Sequence, residues 1–339
     1  MIDLRSDLVA PTAAMRLAMA EAETGDELFG DDPTTRRLED VARDLLGKEA
    51  AIFMPTCTMA NAVAVLAHVC DNERILMDVQ SHIHRREMQP PALLSTLRPT
   101  FFDSPDGAPN IDELSRFCDS SPDPGLVCLE TTHTWRNGRP LSLERLQEVA
   151  AEARHKRARI HLDGARLFYA AVALEVHPTS IAVNADSVAV SLCKGIGAPA
   201  GAILAGRADL IAEARSIRLK LGGTLRSSGT LAAAGLLAVS KTDLKRDIFN
   251  AQKIARALGG VGVRPQDFPT NVVLFDPSPL GLSGQQFADL TLESGVQVFL
   301  LAPGVVRLTT HSGLSDADVN HSVQVITQIV ERHHRDRAV

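Results

Sequence analysis

An α/β fold with a mainly parallel sheet is predicted for this 339-residue chain by three observations. Short apolar runs alternate with helical patterns of ten or more residues over most of the length, as in a sheet covered on both faces. The runs are nearly continuous in Val, Ile, Leu and Ala, as buried strands are. Four of them, 50–54, 126–129, 159–162 and 187–193, end in polar clusters, and ligands gather at the carboxyl ends of such strands.

Residues 35–47 read as an amphipathic helix stopping near Gly47. Ala50-Ala51-Ile52-Phe53-Met54 is a strand, and Pro55-Thr56-Cys57-Thr58 opens a helix to about Val69. Ile75-Leu76-Met77 and Leu126-Val127-Cys128-Leu129 are strands. A helix over 141–156 leads into the strand 159–162, and 187–193 is the next strand. Ala202-Ile203-Leu204-Ala205 reads as an antiparallel partner turning back. A helix over 229–239 precedes the charged segment Lys241–Asp247, which puts a domain boundary near 240. The expected domains are thus 1–240, large and including an N-terminal arm, and 241–339, a small α+β unit. In the second, helices are expected near 247–258, 284–294 and 315–333, with strands at 271–275, 296–301 and 305–309. The closing Arg332-His333-His334-Arg335 reads as a solvated tail.

Composition narrows the function. The chain is 45% hydrophobic and 22% charged, with a net charge of −6, so neither nucleic acid nor an anionic membrane is expected as a partner. Aromatic residues make up 4%, too few for a base-stacking surface. No run reaches membrane-span length, and Met1–Asp7 lacks a signal-peptide layout. Five scattered cysteines (57, 70, 118, 128 and 193) form no CxxC pair. Together these predict a cytoplasmic protein with reduced thiols and no metal site.

Two strand-end motifs carry the chemistry. Lys194 lies in Ser191-Leu192-Cys193-Lys194-Gly195-Ile196-Gly197, behind a buried strand and ahead of two glycines. Asp163 lies in Ile160-His161-Leu162-Asp163-Gly164-Ala165-Arg166. Alone, Lys194 reads as a strand-end lysine reaching solvent, and Asp163 as a helix cap. Placed on two strand ends together, they meet two demands of pyridoxal phosphate: an amine for the aldehyde and a carboxylate for the pyridine nitrogen. The Thr56–Asn61 turn offers helix amides and hydroxyls to a phosphate, or else simple caps. Arg226 reads as a phosphate ligand or a surface charge, and His82 as a flat neighbour for a ring or a packed loop residue.

The chain resembles the low-specificity L-threonine aldolases. The resemblance runs from Leu4-Arg5-Ser6-Asp7 to Val306-Arg307-Leu308-Thr309-Thr310-His311. Between them lie Gly30-Asp31-Asp32-Pro33-Thr34, Gly47–Phe53, Ser81-His82, Thr132-His133, the Asp163 and Lys194 motifs, and Ser228–Gly235. It implies pyridoxal-phosphate fold type I, with a seven-stranded sheet in the large domain, and a homo-oligomer, usually a tetramer of two dimers with sites between subunits. It implies an aldehyde-lyase that cleaves L-threonine or a related β-hydroxy-α-amino acid reversibly to glycine and an aldehyde. By the same resemblance Lys194 holds the cofactor's aldehyde and Asp163 its pyridine nitrogen. His82 stacks on the ring, with Glu87 acting through water. Cys57, Thr58 and Arg226 hold the phosphate. Arg166, Arg307 and Ser6 bind the substrate carboxylate, and His133 meets the β-hydroxyl.

The chain departs from the family's pattern at several places. Cys57 replaces a glycine of the phosphate turn, Leu219 a lysine with Arg218 or Lys220 as compensation, Phe29 a tyrosine, Thr131 an asparagine, and Gln89-Pro90 a glycine pair. Trp135 and Arg136 enlarge the loop beside His133, which suggests a β-substituent larger or more polar than methyl. The alternatives are another lyase or an aminotransferase on the same scaffold, or a non-catalytic binding protein that kept the fold.

Overall fold

The computed structural model describes residues 1–69, 74–88, 97–240, 244–260 and 270–337. Cys70 and Gln89-Pro90 lie outside them. The chain divides into two compact units. One comprises residues 10–136 and 140–242, and the other residues 1–9, 137–139 and 243–339. The N-terminal arm, which the sequence attaches to the large domain, is counted with the C-terminal unit.

In the C-terminal unit, β1 (Ile2–Asp3) pairs in parallel with β10 (Val296–Gln297). A second sheet runs β11 (Phe299–Ala302), β12 (Val305–Thr309), β9 (Val272–Phe275), all antiparallel. Helices α10 (Lys245–Gly260), α11 (Gly284–Glu293) and α12 (Asp316–Arg337) complete it. Its core gathers Leu4, Val273, Phe275, Phe287, Val306, Leu308 and Ile326. Phe275 and Phe287 meet edge to face at 4.8 Å. The segment expected as a solvated tail is helical: α12 continues through it, and His333 bonds the Ile329 carbonyl at 2.9 Å.

The larger unit is built on a seven-stranded sheet. Its strands are β2 (Ala50–Met54), β3 (Arg74–Asp78), β4 (Arg98–Phe102), β5 (Leu126–Glu130), β6 (Arg159–Asp163), β7 (Ser187–Ser191) and β8 (Ala202–Gly206). Their order is β2-β8-β7-β6-β5-β3-β4, with only β8 antiparallel to its neighbours. Strands β5, β7 and β8 are buried throughout, which is why they read as unbroken apolar runs. Helices α3 (Cys57–His68) and α8 (Ala208–Lys220) cover one face, sharing a core of Ile52, Met54, Val63, Ala189, Leu204 and Ile211. Because side chains alternate along a strand, Phe53 points to the other face, whose layer includes α2 (Pro33–Leu46), α5 (Leu143–His155) and α7 (Pro178–Ala182). Helices α1 (Ala13–Ala20) and α9 (Gly229–Val239) pack together beside α2, while α4 (Ile111–Asp119) lies on α5. Helix α6 (Leu167–Ala173) follows the β6 motif.

One buried ion-pair cluster anchors α8. Arg218 is only 2% exposed; it donates to the Phe53 carbonyl at 2.7 Å and to Glu27 at 2.8 Å. Arg215 bridges Glu27 and Glu39, and Glu39 accepts from the Phe53 amide. Arg218 is thus committed to the fold and does not stand in for the lysine replaced by Leu219. Removing one partner of a buried pair leaves a bare charge, so Arg218→Ala should destabilise the protein by about 3–5 kcal/mol in denaturant unfolding. A loss under about 1 kcal/mol would mean that the cluster is ornamental.

Candidate active site

The carboxyl ends of β5, β6 and β7, with the N-terminus of α3, bring the predicted residues of the larger unit toward one another. Asp163 closes β6 and is buried. Its Oδ1 accepts from the Ala165 amide at 3.0 Å and its Oδ2 from the Asn61 amide at 2.8 Å. Strand β7 ends at Ser191 rather than 193, so Lys194 sits in the turn beyond it. That turn needs glycine: Gly195 has φ +74°, and a Cβ there would stand 2.3 Å from the Tyr169 ring. Cys57 opens α3, and its thiol feels the charges of Asp163, Lys194 and Glu87 as well as of Cys193. Asn61, one turn further along α3, bonds both Asp163 and Glu87, so these two acids lie against the start of that helix. Burial, then the charge of Asp163, pushes the Cys57 thiol far up, so it stays protonated.

His82 and Glu87 form a pair on a single wide turn. Residues Ile83–Glu87 are π-helical, closed by the Met88 amide on the Ile83 carbonyl at 2.9 Å. Such turns recur at functional sites. His82 Nδ1 lies 2.9 Å from both Glu87 oxygens, and Glu87 accepts further from Asn61 at 3.3 Å. Burial alone would lower the His82 pKa, but the Glu87 hydrogen bond and the charges of Asp163, Glu87 and Glu130 outweigh it and raise it. Burial raises the Glu87 carboxyl against the opposing pull of His82. The Glu130 carboxylate fixes the surroundings: Oε2 accepts from the His82 amide at 2.7 Å and Oε1 from the Thr134 amide at 2.9 Å.

His133 is fully buried, and neither ring nitrogen has a hydrogen-bond partner among the described residues. The nearest acids, Asp78 and Glu130, stand 3.7 and 3.9 Å from Nε2. The neighbouring Thr132 hydroxyl is likewise unpartnered. Thr131 locks the loop, donating its amide to the Asp163 carbonyl at 2.8 Å and accepting from Leu141 at 3.1 Å. Arg136 is held by Asp78 and Asp103, and Trp135 lies under the Arg85 guanidinium at 4.0 Å. The enlarged loop is therefore braced by its own residues.

At the turn expected to meet a phosphate, Thr56 caps α3 through the Met59 amide, and Thr58 follows in the first turn. Gly223 packs on Met59, where any Cβ would fall 2.2 Å from Sδ. The next residue, Thr224, has a buried hydroxyl without a partner among the described residues. Arg226 is exposed and pairs with Asp26 at 3.0 Å. Arg166 is buried at the start of α6. In the C-terminal unit, Arg307 donates to the Arg5 carbonyl at 2.9 Å, next to Ser6, and lies over the Phe299 ring at 4.6 Å. Among the described residues no cluster suits a metal ion.

Asn61, Glu130, His161 and Ser187 are the participants that residue-by-residue reading passed over. Asn61 left one trace, a lone amide in the apolar stretch Met59–Leu66.

His161 and His68 are buried behind this site. Burial, and for His68 also the charge of His161, lowers their pKa values to about 4 and about 3. Between pH 6.5 and 4 the unfolded chain then binds more protons than the folded one. Stability is complete above about 6.5 and falls as pH drops through that window. At about 1.36 kcal/mol per unit, His161 alone accounts for roughly 3 kcal/mol. Denaturant unfolding at pH 7 and pH 4.5 should show this loss, and His161→Gln should flatten the slope.

The residues suit pyridoxal phosphate: a lysine in the turn after β7, a doubly anchored carboxylate closing the neighbouring β6, and orphaned buried hydroxyl and imidazole groups that a ligand would satisfy. Comparison with known proteins agrees. A family model described as beta-eliminating lyase matches residues 3–277. The low specificity L-threonine aldolase of Escherichia coli K12 is 37% identical over 327 residues, covering 93% of this chain and 95% of its own. Low-specificity L-threonine aldolase 1 of Arabidopsis thaliana is 34% identical over 343 residues, 96% of each chain. The threonine aldolase of Leishmania major shares the fold, with a TM-score of 0.83 at 17% identity over 97% of this chain and 100% of that one. With its strand-edge lysine and aspartate in place and relatives matched nearly end to end, this chain belongs to the beta-eliminating lyase family, alongside the low-specificity L-threonine aldolases.

Proposed function

We propose that this chain is a pyridoxal-phosphate-dependent carbon–carbon lyase that cleaves L-threonine, or a related β-hydroxy-α-amino acid, to glycine and an aldehyde. The observation that carries this reading is the meeting of Asp163 and the His82–Glu87 pair on Asn61 of α3, with Lys194 in the turn after β7, the strand next to the one Asp163 closes.

When bound, pyridoxal phosphate supplies an electron sink for the charge left on Cα as the Cα–Cβ bond breaks. Lys194 holds its aldehyde, and Asp163 accepts the hydrogen bond of its pyridine nitrogen. Cys57 and Thr58, at the α3 N-terminus, hold the phosphate with Arg226. His82 would face the ring, its Nδ1 tied to Glu87, so that Nε2 is left for proton transfer. Arg166, Arg307 and Ser6 hold the substrate carboxylate and so set the angle of the breaking bond. His133 takes the β-hydroxyl proton; its bare nitrogens suit a partner that the substrate brings.

The working form is a homo-oligomer, a tetramer of two dimers, in the cytoplasm. Exposed apolar side chains favour a covering copy: Leu28, Phe29, Leu219 and Leu225 all lie open, and the Glu27 amide ties the first pair to Arg226. No helix among the described residues is long and apolar enough to cross a membrane.

Protein reconstituted with pyridoxal phosphate and given L-threonine, L-allo-threonine and phenylserine should release glycine and the matching aldehyde. Keto acid with ammonia would instead assign an eliminating lyase, and amino transfer an aminotransferase. Phenylserine cleaved faster than threonine would support the preference for a larger β-substituent.

A further inference from the structure

A buried polar seam runs between α3 and the sheet, from the amino ends of β6 and β7 to the carboxyl end of β6. On α3, Asn61 and His68 lie seven residues apart, two turns along one helix face. On β6, His161 and Asp163 are two apart and so share a face. The parallel register of β6 and β7 sets His161 beside Ser187. The contacts follow: His68 Nε2 to Ser187 Oγ at 2.7 Å, Ser187 Oγ to His161 Nδ1 at 2.8 Å, His161 Nε2 to Asn61 Oδ1 at 3.1 Å, and Asn61 Nδ2 to Asp163 at 2.8 Å.

The direction of every bond follows from the two carboxylates. Asp163 and Glu87 both require a donor, so the Asn61 NH₂ faces them and its carbonyl faces His161. His161 must then carry its proton on Nε2. Its Nδ1, left as an acceptor, receives a hydrogen bond from the Ser187 hydroxyl, and Ser187 in turn accepts from His68 Nε2–H. All donation runs toward Asp163. An amide does not relay protons as an imidazole does, so the seam transmits orientation and polarity but no proton. Its far end is His68, which lines a cavity of about 320 Å³ with Arg159, Asp186 and Arg207 at the amino edge of β6 and β7.

We propose that Asn61 is a positioning residue for the cofactor's pyridine nitrogen: as the last link of the one-way chain His68–Ser187–His161–Asn61, it holds the Asp163 carboxyl group aimed while keeping it apart from Glu87. The inference rests on the reading of Asp163 as the pyridine partner. With the Ala165 amide on one oxygen and Asn61 on the other, the carboxylate plane is fixed from both sides. Asn61→Ala leaves Asp163 Oδ2 and the His161 Nε2–H without partners. Asn61→Asp keeps the shape but adds a third negative charge among two.

The test compares the wild type with Asn61→Ala, Asn61→Asp, Ser187→Ala, Ser187→Thr and Asp163→Asn. The readouts are pyridoxal phosphate affinity, the pH midpoint of the bound cofactor's absorbance, and, on the protein without cofactor, the ¹⁵N signals of His161. Affinity should fall about tenfold in Asn61→Ala, the size expected of one charge-assisted hydrogen bond, and further in Asn61→Asp. The pH midpoint should move in both. Ser187→Ala should act in the same direction but less, with Ser187→Thr restoring wild-type values. Wild-type His161 should be the neutral Nε2–H form at pH 7, a result independent of whether any variant folds. His161 found charged, or protonated on Nδ1, would overturn the chain. So would an Asn61→Ala protein with wild-type affinity and midpoint while Asp163→Asn loses both, and the Asp163 reading would then stand. If Asp163→Asn also matched the wild type, that reading would fall and the inference with it.

Discussion

Lys194→Ala should abolish both the cofactor's visible absorbance and amino-acid cleavage. Position is the reason. Lys194 stands where a strand gives way to a turn that only glycine at 195 allows, with the Tyr169 ring packed against it. Other lysines of the larger unit are engaged or exposed elsewhere, Lys156 with Asp119 among them. Lys48 is engaged with the Ala185 carbonyl, and Lys220 is exposed at the end of α8. An enzyme of this chemistry draws nearly all its rate advantage from the cofactor, and enzymes typically exceed the uncatalysed rate by at least about a millionfold. A drop of at least about a thousandfold is therefore expected even where free pyridoxal phosphate lends some rate. A variant that keeps its colour and more than a tenth of its turnover would show that the cofactor is held elsewhere. Thermal stability without cofactor should hardly change, because Lys194 is only half-buried.

His133→Asn should lower kcat by roughly 100- to 10,000-fold, the range of general-base catalysis. It should leave pyridoxal phosphate affinity within about threefold of the wild type. A fully buried imidazole with two unpartnered nitrogens is a burden on the folded state, since burying polar atoms without hydrogen bonds costs free energy. A residue kept only for packing would be better apolar. The expected signature is a large loss of rate with little loss of stability. Were the variant instead to unfold several degrees lower and turn over normally, His133 would be a packing residue.

Much of this fold could be read in advance because the sheet is buried on both sides. Strands β5, β6 and β7 read as apolar runs and lie where expected. The edge strand β4 did not: it carries Arg98 and Pro99, and an edge strand tolerates both. Helix α8 escaped for another reason. One of its few buried positions is Arg218, and a charge in the buried stripe breaks the pattern unless Glu27, 191 residues away, is known to meet it. Helix α1 buries only Met15, too little to show a stripe.

The site divides along the same line. Lys194 and Asp163 showed themselves as polar residues at strand ends, whereas Glu87 was reached only through the family resemblance, and its pairing with His82 is made by a π-helical turn. Asn61, His161 and Ser187 did not, because their pairing depends on the register of β6 against β7 and on the seating of α3. Sequence spacing carries neither. The departures from the family's pattern also changed meaning. Arg136 is committed to Asp78 and Asp103, and Arg218 to Glu27, so neither is a free cation for substrate or phosphate.

One lysine, Lys194, is expected to carry the cofactor. Borohydride reduction of the reconstituted protein, followed by proteolysis and mass mapping, tests it most directly. A single pyridoxyl-bearing peptide containing Lys194 is the result expected. Label on Lys48 or Lys220, or a reduced protein bearing none, would contradict it.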